Sequence, residues 1–327
     1  MDIGWIEISK KKYGGVVYNE EARHALKKGF DLETIFFEPK IFKNLKYLRI
    51  PESLFYLCFL KGKKDFWVRD FYSTLTMSFD RTSGKNIVIV HHDDFSGFPI
   101  ITQPIFKVAQ QIFYRNLRKV DAIVVVSEYW KNYFLQKGHK NVFKIYNAFD
   151  LAEFDIFDDE VEDFKKRHNL TQKPIVYLGN CQKAKGVIEA YNELKDLDVY
   201  LVTSGRPMVK IPAVNLNLDY RDYLRLLKAS SVVLTMSKFK EGWCRTAHEA
   251  MLCKTPVIGS GLGGMRELLK GGGQIICENS RGLKNQVEFL LLNPRKAAII
   301  GQGGCNFAKN FTKEKFNKDW INLINKI

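Results

Sequence analysis

Short, almost wholly apolar runs recur along this chain, each followed by a stretch of helical spacing. No other feature constrains the fold as much. IVIVHH, AIVVVS, PIVYLG and VVLTMS are rich in β-branched residues and lack the polar alternation of a half-exposed strand. They suit strands of a parallel sheet covered by helices on both faces. In the first half, strands are predicted at Gly4–Ile8, Glu33–Pro39, Lys85–His92, Asp121–Ser127 and Val142–Ala148, with helices at Asn19–Gly29, Pro104–Val120 and Glu128–Gly138. The second half restarts the alternation at Lys173–Gly179, Val199–Ser204, Ser231–Ser237, Thr255–Ser260 and Gly273–Glu278, and from Ser280 onward it reads as helical. Asp150–Leu170 is acidic and polar, a linker with a solvated helix, and sets a domain boundary near Phe154. The expectation is an α/β chain of two Rossmann-like, doubly wound domains, 1–154 and 155–311; 327 residues suit two domains of about 150 each.

Hydrophobic residues make up 46% and charged residues 27%, which excludes a disordered chain. No apolar run approaches the roughly 18 residues needed to span a bilayer, and MDIGWIEISKKKYGG lacks the pattern of a secretory signal. Six cysteines (Cys58, Cys181, Cys244, Cys253, Cys277 and Cys305) form no C-x-x-C pair, so they read as reduced thiols, and a cytoplasmic setting is expected. The net charge of +15 calls for an anionic partner: nucleic acid, an anionic membrane surface or a phosphorylated small molecule. Residues 1–149 hold 24 Lys/Arg against 15 Asp/Glu, so the excess is not a tail. With no zinc-finger, RNP or basic-zipper signature, no nucleic-acid partner is expected. A basic face on a lipid surface, with a diphosphate site, accounts for the charge, and the protein is expected to be cytoplasmic or peripheral on the membrane's inner face. Residues 41–84 are the least legible. Ser53–Leu60 (SLFYLCFL), followed by KGKK, is read as a core helix or strand with a basic turn, the alternative being a segment dipping into a membrane interface.

The most informative stretch is Lys238–Leu269, KFKEGWCRTAHEAMLCKTPVIGSGLGGMRELL. Glu241 follows a predicted strand and precedes Gly242, in the loop at the strand's carboxyl end where open α/β sheets bind ligands. Glu249 lies in the next helix. Eight positions span at most about 12 Å if helical, which suits one carboxylate on a sugar and one on a ribose with a diphosphate between. A carboxylate accepts two hydrogen bonds side by side and so matches a vicinal diol. Gly242, Trp243, Cys244 and Arg245 lead into that helix, and free backbone N–H groups there suit hydroxyls or phosphate oxygens.

The E-x7-E spacing of Glu241 and Glu249, followed by EAMLCKTPVIGSGLGGMREL, resembles the retaining glycosyltransferases of family 4, which have the two-domain GT-B fold. Other matches come in the family's order. Gly14 and Gly15 resemble its N-terminal Gly-rich loop near the donor phosphates. VDAIVVVSEYWKNYFLQKG, KIYNAFD with Asn147 and Asp150, and YLGNCQKAKG resemble the segments that close the first domain, enter the linker and open the second domain. The resemblance implies two domains facing across a cleft, with the final helix, 312–327, crossing back to the first. It implies transfer of a sugar, with retention, from a UDP- or GDP-sugar donor to a glycan, lipid-linked or small-molecule acceptor. Glu249 would hold the donor ribose, Glu241 the transferred sugar, and Lys185 the phosphates of the leaving group. His92, in the His91–His92 pair, would face the sugar. The family's arginine partner is missing: its slot is Asn180. Lys183 is the candidate to supply that second charge; otherwise the chain is a weakened sugar-nucleotide-binding or scaffold protein. The nucleotide-sugar is a substrate, so no cofactor and no metal are expected.

Three rival motifs have plainer readings. HHDD clusters metal-type ligands, but adjacent strand residues point to opposite faces. DLD at Asp196–Asp198 falls between a predicted helix and strand, where a turn belongs. GSGLGG at Gly259–Gly264, with Glu278 beyond it, satisfies G-x-G-x-x-G and leaves an NAD-dependent oxidoreductase as a further alternative. The helix that follows, MRELLK, is short for a dinucleotide crossover, and the glycines better suit close backbone approach to a diphosphate.

Overall fold

The structure, a computed structural model, describes residues 1–8, 14–42, 45, 48–97 and 100–327. Twelve strands and thirteen α-helices are described. The first half runs β1 (Asp2–Glu7), α1 (Gly14–Lys27), β2 (Asp31–Phe36), α2 (Arg49–Leu57), β3 (Lys61–Arg69), α3 (Phe71–Leu75), β4 (Arg81–Val90), α4 (Gln103–Leu117), β5 (Ala122–Val125), α5 (Glu128–Gln136) and β6 (Val142–Lys144). The second runs α6 (Asp158–Arg167), β7 (Ile175–Asn180), α7 (Val187–Leu194), β8 (Tyr200–Ser204), β9 (Val214–Leu216), α8 (Tyr220–Ala229), β10 (Val232–Thr235), α9 (Arg245–Leu252), β11 (Val257–Gly259), α10 (Met265–Gly271), β12 (Ile275–Ile276), α11 (Leu283–Leu292), α12 (Pro294–Ala308) and α13 (Lys313–Lys326).

These form two six-stranded sheets, ordered β2-β1-β3-β4-β5-β6 and β12-β11-β10-β7-β8-β9, with every strand pair parallel. The apolar runs are the central strands: Ile87–Val90, Ala122–Val125, Ile175–Leu178 and Val232–Leu234 are all buried, as helices on both faces require. Side-chain caps start several helices. Ser127 accepts the Trp130 N–H at the head of α5, and Asp219 accepts the Asp222 N–H at the head of α8.

The chain divides into two compact units: Met1–Asp93, Pro99–Ala148 and Lys313–Ile327 form one, Asp94–Phe98 and Phe149–Thr312 the other. The division falls at Ala148/Phe149, ahead of the boundary drawn near Phe154. Phe149 already belongs to the second unit, pairing with Thr312 and stacking on His248 with ring centroids 4.0 Å apart. The final helix, α13, packs on α1 in the first unit: Trp320 meets Trp5 and Phe316 meets Tyr18.

The illegible stretch, where described, holds α2, β3 and α3. In SLFYLCFL, 53–57 end α2, with Leu57 buried and Phe55 exposed, while 58–60 form the turn after it, and KGKK opens β3. Only Phe66–Arg69 of that strand are buried, so its apolar signal is short and ends on a cation. Arg69 is satisfied by Asn86 (2.7 Å), Asp80 (2.8 Å), Thr82 (2.7 Å) and the Ser73 carbonyl (3.1 Å). A buried charge needs such a set of partners.

Candidate active site

In the second sheet the strand order reverses between β7 and β10, the topological switch point at which open α/β sheets bind ligands. Asn180 ends β7, and the loops leaving the two strands carry Lys183, Lys185 and Glu241. Lys183–Lys185 form a 3-10 turn closed by Gly186, whose φ is +71°. A Cβ on Gly186 would lie 2.2 Å from the Met236 carbonyl, so only glycine lets this turn press against the end of β10. Gly263 does the same from the other side. Its φ is +67° and a Cβ would meet the Glu241 carbonyl at 2.4 Å, where Glu241 and Gly263 form a β-bridge. The GSGLGG glycines thus close the loops around Glu241. Glu278, the acid of the dinucleotide reading, pairs with Arg266.

The result is an ion pair between a half-buried lysine and a buried carboxylate. Lys185 Nζ lies 2.6 Å from Glu241 Oε1, and the Ser237 hydroxyl donates to the same oxygen. Burial pulls the Lys185 ammonium down, but the Glu241 carboxylate offsets this and the net shift is upward. Its charge also sits 5.0 Å above the Phe239 ring.

Glu249, buried in α9, has separate partners. Tyr223 donates to one oxygen at 3.2 Å, Tyr220 to the other at 3.4 Å, and Arg245 lies 3.5 Å away. Burial raises the Glu249 carboxyl, opposed first by Arg245 and then by the phenols. Sequence reading missed Ser237, Tyr220 and Tyr223. The phenols stand three apart at the head of α8, a legible spacing, but nothing in it tells which carboxylate they meet.

Asn180 ends β7 and is exposed. Its amide oxygen accepts from Ser204 (3.0 Å) and Tyr177 (3.4 Å), and the Tyr177 ring meets Tyr223 edge-on. A neutral, hydrogen-bonded amide therefore stands where the resemblance calls for a cation. Gly242 to Cys244 lead into α9, with Cys244 at its N-cap. Burial, helped by Glu241, pushes the Cys244 thiol up to about 12, so it is a neutral group. The Trp243 side chain turns into the core and donates to His248 Nδ1 at 3.1 Å. Arg245 lies 4.4 Å over the Phe149 ring.

In the first unit, Gly14 and Gly15 open α1, so that helix begins five residues before the predicted Asn19. His91 and His92 directly follow β4. His91 meets Asn19 Oδ1 at 3.2 Å and the Tyr18 ring edge-on. Burial first, then the neighbouring His92, lowers it to about 3. Asp93 accepts from Tyr114, from Gln110 (2.7 Å) and from Tyr133 (3.2 Å), while Asp94 accepts the Lys240 N–H at 2.7 Å. Two acids of HHDD are thus committed to protein partners, and no cluster of three or more metal-type ligands occurs among the described residues. Asp196–Asp198 is the turn between α7 and β8, with Asp198 paired to Lys173 at 2.5 Å.

Residues 158–306 match the family described as Glycosyl transferases group 1, and with its two parallel sheets the chain has the GT-B fold. An uncharacterized glycosyltransferase of Methanocaldococcus jannaschii is 27% identical over 210 residues, 60% of this chain and 56% of that protein. The N-acetyl-alpha-D-glucosaminyl L-malate synthase of Bacillus anthracis is 26% identical over 229 residues, 63% and 58%. The matches thus span just over half the length of these curated relatives. Among solved structures, Anabaena HepE in complex with UDP has a TM-score of 0.78 at 14% identity, covering 100% of both chains. The family match thus falls within the second unit, which carries Lys185, Glu241 and Glu249. No described helix is long and apolar enough to cross a membrane.

Proposed function

We propose that this protein is a retaining glycosyltransferase that moves a sugar from a nucleoside-diphosphate sugar to a glycan, lipid-linked or small-molecule acceptor. The observation that carries this is the pairing of Lys185 with Glu241 at the switch point, beside a second buried carboxylate, Glu249, held by phenols. Glu249 is assigned to the ribose diol. Glu241 is assigned to the sugar hydroxyls, with the backbone of Gly242–Arg245 on hydroxyls or phosphate oxygens. Lys185 is assigned to the leaving diphosphate, whose growing charge it stabilises, and this is a large share of the catalysis. Lys183 supplies the second positive charge that Asn180 does not. On the resemblance, Gly14 and Gly15 approach the phosphates and His92 the sugar.

In the reaction, the bond from the anomeric carbon to the diphosphate oxygen breaks with its electron pair leaving on the phosphate. The acceptor hydroxyl then adds on the same face and its proton passes to that phosphate. The protein supplies position and fixed charge, so the scheme assigns no metal and no cofactor. Between UDP and GDP we favour UDP, which HepE holds in its structure.

Titration calorimetry with UDP, GDP and NAD tests the donor class; tight NAD binding with none by either nucleoside diphosphate would sink the reading. Donor turnover by wild type and Glu241→Ala tests catalysis. A second reading, a sugar-nucleotide-binding protein with little turnover, is favoured by the neutral amide of Asn180. It would gain if UDP binds but no acceptor pool releases it from UDP-sugar.

A further inference from the structure

One helix of the first unit carries apolar side chains on the wrong side. The inner face of α4 is spent on the core, with Phe113 and Leu117 buried. Its outer face exposes Ile105 (70%), Val108 (58%) and Ile112 (41%), and Ile101 (85%) continues the row in the turn before it. The spacing of four, three and four residues places them in one stripe along the helix. Leaving large aliphatic groups in water costs free energy, and a contiguous exposed row marks a contact surface.

Charge identifies what the stripe meets. The segment from Ile101 to Val120 contains no Asp or Glu and carries Lys107, Arg115, Arg118 and Lys119, all four exposed. The unit to which α4 belongs holds 28 Lys/Arg against 16 Asp/Glu, a net +12, while the other holds 23 against 20, a net +3. Most of the chain's excess positive charge thus lies in the unit with the exposed apolar helix. A helix with an apolar stripe, flanking cations and no carboxylate matches an anionic bilayer surface: the apolar row enters the acyl boundary while the cations stay with the headgroups. In the same unit, α2 exposes Phe55 and the turn after it exposes Phe59, their rings 5.0 Å apart, and α3 packs against both α2 and α4.

We propose that the outer face of α4, centred on Ile105 and Val108, docks this protein on an anionic lipid surface. The test is sedimentation of the full chain with vesicles of phosphatidylcholine, with and without phosphatidylglycerol, at low and high salt. Wild type should pellet with the anionic vesicles at low salt, stay soluble with the neutral ones, and be released as salt screens the charge. Ile105→Glu/Val108→Glu should stay in the supernatant with circular dichroism and melting unchanged, since both residues are already in solvent. Lys107→Glu/Arg118→Glu keeps the stripe and should weaken partitioning about thirty-fold or more. Wild type remaining soluble at low salt would overturn the proposal, as would an apolar-stripe variant that pellets like wild type. So would sedimentation velocity showing a wild-type dimer that Ile105→Glu/Val108→Glu dissolves, because the stripe would then belong to a second copy. Vesicle binding is read without any sugar donor, so its failure leaves the donor-site assignment standing.

Discussion

The two units share an architecture of six parallel strands, yet they spend their polar and apolar groups in opposite ways. The second reverses its strand order between β7 and β10 and buries two carboxylates there, one paired with a half-buried lysine, while its net charge stays near neutral. The first reverses between β1 and β3, carries most of the excess cations, and leaves aliphatic side chains in water. Burying charge is costly without matched partners, and exposing an aliphatic row is costly without an apolar contact. The contrast sets the two proposed contacts apart: a polar site in one unit, an outer helix face in the other.

The sharpest way to break this comparison is to remove the cation paired with Glu241. Lys185→Ala should lower kcat by about 10²–10³, measured as UDP release from UDP-sugar, while the equivalent loss of a surface cation in the first unit, Lys107→Ala, should leave it unchanged. Gly263→Val should cost about 3 kcal/mol of stability in chemical denaturation, because a branched side chain there meets the Glu241 carbonyl at an unfavourable positive φ. Glu249→Ala should weaken UDP binding about 100-fold with the fold intact. His92→Ala should leave UDP affinity unchanged in the same calorimeter and lower turnover alone. Equal UDP affinity in all these proteins would dissolve the division of labour between units.

A smaller effect comes with pH. His248 is fully buried, accepts from Trp243 and contacts the Ala308 carbonyl, and burial depresses it to about 3. The unfolded chain takes up a proton near pH 6.5 that the folded state refuses, so stability is lost as pH falls from 6.5 toward 3. Between pH 7 and pH 5 this histidine alone should remove about 2 kcal/mol, and urea denaturation of His248→Gln should show that much less dependence. The smallest effect should come from Asp196→Ala/Asp198→Ala. Those residues form an exposed turn, so transfer activity, the melting temperature and the response to a chelator should all match wild type.

Much of this was legible before any coordinates. The apolar runs located ten of the strands, and only β3 and β9 escaped. β3 opens on KGKKD and ends on a buried arginine, while β9 is a three-residue strand at a sheet edge, too short for period or burial to register. The residues bound to Glu241 and Glu249 were less legible. Ser237 stands four residues from Glu241 in ordinary loop sequence, and Tyr220 and Tyr223 lie in a helix that serves equally well as plain core. The helical period of α4 was clear, yet it has apolar residues on both faces, and period alone does not say which face the sheet takes.

By itself, the sequence determined the parallel α/β class, the E-x7-E pair and the neutral residue at position 180, because these depend on residue type and short-range spacing. Tertiary structure alone decided that Lys185 meets Glu241, that two phenols hold Glu249, and that the Ile101–Ile112 row faces outward. The reason is physical: those outcomes depend on loop ends brought together by strand order and by glycines with no Cβ, over separations that local spacing does not encode.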